Sequence, residues 1–247
     1  MKKTFLTLFA FLVLTQLHAQ NMEVSLLGNT GGFRYTGNYT TATSFINGGA
    51  ANSKAGYTNN PYGNKFGFSY GGGVQVQHVG RSGFIFGLQG GYQTLRSKVD
   101  VNGVYRSDLN QSVINFTIPG PTAATGQTYL QSQDINVNPY IGYRLKIKKV
   151  KLDLMPGFDL GFNLNTHEYG KATDMGGNVY QTDMDRGKSP VDFRFSLRAA
   201  ISYNKFSITA GFIQGLTNFS NHLLNDSPTA YYTHSQLISL GLAYRIR

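Results

Sequence analysis

The chain of 247 residues carries 22 Lys and Arg against 12 Asp and Glu, with 30 Gly, 16 Tyr, 17 Phe and neither Cys nor Trp. Charged residues make up only 14% of it, against about 25% in an ordinary soluble domain, so something other than surface charge must suit this surface to its solvent. The missing cysteines exclude disulfides, thiolate metal sites, a Cys nucleophile and a lipidated cysteine.

Residues 1–19 come first. Lys2 and Lys3 precede an apolar run from Phe5 to Leu14, and Ala19 stands before Gln20. This is the pattern of a cleavable secretory signal peptide, with an apolar run too short to span a bilayer. The remainder, 20–247, reads as one domain without a Pro- or Ser-rich linker. No later stretch approaches the 18 apolar residues of a membrane helix, so a membrane would have to be crossed by strands.

Period-two alternation then marks eight strands, at about 22–34, 64–79, 83–97, 128–146, 150–165, 191–203, 206–218 and 238–246. It is clearest where Val191, Phe193, Phe195, Leu197, Ala199, Ile201 and Tyr203 alternate with Asp192, Arg194, Ser196, Arg198, Ala200 and Ser202. Tight reversals at Gly80–Gly83, Lys146–Val150 and Tyr203–Phe206 suit hairpins. They alternate with long polar connections at 35–63, 98–127, 166–189 and 219–232. All the short turns thus fall at one end of the strands. The pattern predicts an all-β, eight-stranded antiparallel up-and-down transmembrane β-barrel. A soluble barrel would also alternate, but its polar face needs many Lys and Glu. Here that face holds Gly71, Gly73, Gln75, Gln77, Gly87, Gln89, Gly91, Gly157, Gly161 and Gly211, which suit a cramped lumen. Aromatics gather on the apolar face at both strand ends, with Phe84, Tyr143, Tyr203, Phe206 and Tyr244 near the short turns and Phe66, Phe68, Tyr70, Tyr92, Phe162 and Phe193 near the long loops.

The last residues, Ser239 to Ile246, set Gly241, Tyr244 and Ile246 at the spacing of a C-terminal barrel-insertion signal, although Arg247 follows where many such proteins end on an aromatic. With the signal segment and the strand layout, the mature chain resembles the broad outer-membrane β-barrel domain family that includes PorT-like proteins, and in architecture it is similar to OmpX- and OmpA-type barrels. The resemblance implies residence in the outer membrane of a Gram-negative bacterium, among its lipids, and insertion by the barrel-assembly machinery. Family roles range from secretion accessory to adhesin.

Chemistry-bearing residues are sparse. His167, Glu168, Asp174, Asp183, Asp185, Arg186 and Lys188 lie in one long connection, and His222 and Asp226 in another, without the spacing of a triad or a metal site. They are expected to be solvated loop residues. Asp183 and Asp185 could at most join a calcium site. No phosphate-binding loop, zinc spacing or nucleic-acid module occurs, and neither an enzyme nor a cofactor is expected. The inward charges read as structure: antiparallel pairing sets Asp159 opposite Arg194 and Asp153 close to Arg144, so that Arg144, Arg194, Arg198, Asp153 and Asp159 would form a network plugging the lumen. Lys146, Lys148, Lys149 and Lys151 form a basic rim at the short-turn end that suits anionic head groups or an acidic partner. The expectation is a closed barrel with a structural or interaction role toward an envelope partner. The alternatives are a narrow passive pore, or an envelope hydrolase or acyltransferase at 166–189 and 219–232.

Overall fold

The computed structural model describes residues 22–106, 120–220 and 231–247. The signal segment, Asp108, His222 and Asp226 lie outside the described residues. Among the described residues eleven strands follow one another: β1 Met22–Thr36, β2 Thr43–Gly49, β3 Tyr57–Thr58, β4 Lys65–Val79, β5 Phe84–Arg106, β6 Thr122–Ile147, β7 Val150–Asp174, β8 Val179–Gly187, β9 Asp192–Tyr203, β10 Phe206–Gly215 and β11 His234–Arg245.

Eight of them close on themselves. Every pairing around the ring β1–β4–β5–β6–β7–β9–β10–β11 is antiparallel, and β11 returns to β1 with Ser25 opposite Arg245 and Thr36 opposite His234. This is an up-and-down barrel without a free edge, as the alternation predicts. The short turns recur where expected, Lys148 and Asn204 holding left-handed φ values of 55° and 53° that let the hairpins reverse within a few residues.

The alternation resolves into an apolar outside and a polar inside. Leu26, Val74, Leu88, Ile141, Leu154, Phe158, Ile201, Ile208, Leu240 and Leu242 are all exposed on the outer wall. Below them Phe206 packs on Tyr244 at 5.1 Å and is registered with Tyr203, while Phe84 is registered with Tyr143. Toward the other end Phe66, Phe68, Tyr70, Tyr92, Phe162 and Phe193 are exposed in turn. An apolar band between two aromatic girdles is a surface matched to lipid, since water would penalise so many uncovered apolar side chains and the closed ring leaves no strand edge open to hydrocarbon.

Within the connections expected at 98–127 and 166–189, the described residues 98–106, 122–127 and 166–187 are largely strand and not the loops their polar composition suggests. β5, β6 and β7 run for 23, 26 and 25 residues, more than twice the 9–11 or so that cross a bilayer, so their far halves stand clear of the apolar band. There β8 pairs with β7, β2 lies parallel to β5, and β3 pairs with β2. Residues 52–56 seal the edge of β8, with the Asn52 N–H donating to Val179 O at 2.8 Å and that of Gln181 to Ser53 O at 3.2 Å. The result is a second, smaller β-layer, an annex. Its interior is Ile46, Val101, Val104, Ala124, Ala172 and Tyr180. These residues alternate with polar ones that face water on the annex exterior, which is why the segments read as loops.

Candidate functional site

The lumen is filled in layers. At the short-turn mouth, Arg144 on β6 is registered with Asp153 on β7 and makes a bidentate pair with it at 2.6 Å through Nε and Nη2; Nη1 and Nη2 donate to Glu23 at 2.9 and 2.8 Å. Arg245 also donates to Glu23, and Lys151 approaches it at 3.8 Å. Lys151 therefore turns into the mouth, while Lys146, Lys148 and Lys149 stay exposed on the rim. The next layer is Ile85, Tyr140, Met155 and Ala200, with the Tyr140 hydroxyl donating to Gln77 Oε1 at 2.9 Å.

Higher up, Arg194 is registered with Asp159 and sits 3.3 Å from it, with Asp192 at 3.4 Å and Asp134 at 3.6 Å. Arg198 lies 4.0 Å from Asp159 and donates to Asn138 Oδ1 at 2.9 Å and to Gln89 Oε1. Gly161 makes this cluster possible, because a Cβ there would run into the Arg194 guanidinium. The expected single network is thus two clusters separated by an apolar layer: Arg144 and Asp153 in one, Arg194, Arg198 and Asp159 in the other. Sequence reasoning does not single out Glu23, Arg245, Asp134 or Asp192 for these clusters; the signal that could have found them is their position on the inward-facing parity of their strands. Above the upper cluster an apolar cap of Phe33, Tyr35, Leu95, Leu130, Ile213 and Leu237 fills the barrel, with Tyr62 and Phe219 packed against it. Tyr35 meets Phe33 and Tyr62 edge-on at 5.1 Å. The cavities between these layers measure about 40, 20 and 10 Å³, room for one to a few waters each at ~10–15 Å³ per water.

The loop residues expected to be solvated divide. Glu168 is fully buried, accepting from the Thr58 N–H at 2.6 Å and from Arg186 Nε at 2.8 Å, so it ties the annex to the barrel. Asp183 is exposed and bound by Lys54 at 3.1 Å and His167 at 2.9 Å, and these hydrogen bonds, that of Lys54 first, hold its carboxyl below the usual range. His167 thus meets a carboxylate, and on its other side stacks on the ring of Tyr169 at 6.3 Å. Among the described residues, no group of three or more His, Asp or Glu could hold a metal ion.

Of the C-terminal residues, Gly241 sits inside the wall, close to Gly28 O and Thr209 Oγ1, while Tyr244 and Ile246 are exposed to the outside and the Ile246 N–H donates to Val24 O at 2.8 Å.

Closed register, apolar wall and packed lumen define an integral β-barrel membrane protein. No family model and no curated protein matches the chain. Among solved structures it is similar to Ail, the attachment invasion locus protein of Yersinia pestis, at 12% identity over 92% of this chain and 100% of that one, with a TM-score of 0.39. It is similar also to Neisserial surface protein A, at 9% identity over 90% and 96% with a TM-score of 0.33, and to the translocator domain of the autotransporter NalP from Neisseria meningitidis, at 8% over 99% and 95% with 0.32.

Proposed function

We propose that this is an outer-membrane barrel of a Gram-negative bacterium whose lumen is closed and whose annex, standing outside the cell, is the working surface: an interaction protein of the envelope, with a PorT-like secretion accessory role as one form that interaction could take. The observation that carries it is the layered lumen. Charge cluster, apolar layer, second charge cluster and aromatic cap leave cavities of about 40, 20 and 10 Å³, and no eight-stranded interior so filled gives ions a continuous water path. The barrel-assembly machinery would insert the chain through the strand carrying Gly241, Tyr244 and Ile246, and the rim of Lys146, Lys148 and Lys149 would then face the periplasm.

Two measurements test this together. Purified protein in planar bilayers should show no steady conductance; ion-selective steps would overturn the closed lumen and favour a pore. Because the chain has no cysteine, Met175→Cys, at the fully exposed tip between β7 and β8, should react with a membrane-impermeant maleimide on intact cells, and Lys148→Cys should not. The reverse pattern would invert the orientation.

A further inference from the structure

On the outer wall of the annex, β5, β6, β7 and β8 present their solvent-facing side chains in register. One row runs Lys98, Tyr129, Tyr169, Asp183, and the next runs Asp100, Gln127, Lys171, Gln181. The rings of Tyr129 and Tyr169 stack at 5.5 Å with 21° between their planes, and His167 continues the stack. The two tyrosines floor a groove of about 580 Å³ whose walls are amide, hydroxyl and amine, from Gln127, Gln181, Thr125, Thr173, Lys54 and Lys171, with the one carboxylate of Asp183.

The groove has the size of a small-molecule site, about 300–1,000 Å³, but its floor is aromatic and its walls are hydrogen-bonding, which suits a sugar ring better than an apolar ligand. The acid that lines it, Asp183, is held by Lys54 and His167, and Asp100, in the second row, is paired with Lys65; Asp185, whose Oδ1 accepts from the Gly187 N–H at 2.7 Å, lies outside the lining. Lys171 on the groove wall, and Lys98, registered with Tyr129 beside it, have no ion-pair partner among the described residues, so the open charge next to the tyrosines is positive. Its height is set by the strands. Tyr129 stands six residues beyond Ile135, the last exposed apolar residue of the β6 wall, about 20 Å along the strand and, at the usual tilt, roughly 15 Å above the apolar band.

We infer that the Tyr129–Tyr169 platform, with Lys98 and Lys171, binds the phosphorylated sugars of a glycolipid anchored in the same outer leaflet. A ligand beside the barrel wall at that height, carrying negative charge on sugar rings, is what the layer above an outer leaflet supplies to a groove facing sideways. The inference rests on the outward orientation of the annex, which the cysteine labelling tests separately.

Full-length protein in nanodiscs containing lipopolysaccharide should retain that glycolipid when released for native mass spectrometry. Tyr129→Ala with Tyr169→Ala, and Lys98→Glu with Lys171→Glu, should each lower retention roughly tenfold, and phosphatase treatment of the lipopolysaccharide should reproduce the lysine result with wild-type protein. Heat-shifted gel mobility verifies the barrel in each variant, and Lys171→Glu alone serves where a double variant does not fold. Equal retention by the folded variants, or indifference to the phosphates, overturns the site. Binding of the released oligosaccharide without retention of the anchored glycolipid overturns the assignment to the protein's own membrane. Loss of retention with correct surface labelling separates a failed site from a failed orientation.

Discussion

Arg194 is the largest of the side chains that the described barrel buries almost completely, and it faces three carboxylates. A guanidinium taken out of water in this way is stable only while those acids stay paired with it. Arg194→Ala would leave Asp134, Asp159 and Asp192 without their common cation, and breaking a buried pair costs about 3–5 kcal/mol. Gly161→Ala should fall in the same direction, because its methyl group displaces the guanidinium instead of removing it. Urea unfolding followed by loss of the heat-shifted band should show both variants unfolding well before Met175→Ala, whose side chain touches water alone; equal midpoints would mean the cluster is not what holds the lumen together. The opposition of Asp159 and Arg194 is legible in sequence because both positions lie on strongly alternating strands that are expected to pair across the single long connection 166–189. Glu23 is not, since β1 alternates weakly and its partner Arg144 is 121 residues away. Asp134 escapes as well, because a lone acid on the polar parity of β6 reads as one more lumen residue until β9 brings Arg194 across to it.

At the scale of elements, the eight wall strands can be read from the chain because lipid forces an apolar residue at every outward position, which is every second residue of a strand. That constraint ends where the strands leave the membrane. Beyond Asp134 on β6, the outward positions Gln133, Gln131, Gln127 and Thr125 are polar, the inward ones Ser132, Leu130, Thr128, Gly126 and Ala124 are mostly small, and the segment has the composition of a loop although it is a strand. The annex is held by ordinary hydrophobic burial. Ile46 on the parallel strand β2 is wholly covered by Val101, Val104, Ala124, Ala172 and Tyr180. Ile46→Ala leaves a cavity costing about 2–5 kcal/mol, which is felt by the annex and not by the lipid-bound ring. Limited proteolysis should therefore cut within 43–58 much faster in the variant while the barrel core keeps its heat-shifted mobility. Simultaneous loss of both would show that annex and barrel unfold as one unit.

Across the whole molecule, charge is distributed by solvent. The lipid-facing band carries almost none, the lumen carries matched charge, and free amines collect on the rim at Lys146, Lys148 and Lys149. A rim of that kind favours anionic head groups by about 1 kcal/mol per residue near the surface. Reversing the three lysines to Glu should slow insertion into vesicles containing anionic phospholipid relative to neutral ones; identical rates on both would reduce the rim to a solvated turn. The same scale governs how the chain can assemble. The seam between β1 and β11 joins residues such as Ser25 and Arg245, near opposite ends of the sequence. Until that seam forms, two strand edges in lipid lack partners, a state the hydrocarbon penalises at every open N–H and C=O. Closure is thus the contact of longest range and the last that a chain made from its N-terminus can complete, and a chain lacking β11 gains no part of the wall's stability in proportion to its length. For this barrel β11 therefore works as a keystone: lipid withholds the wall's stability until the first strand has found its mate.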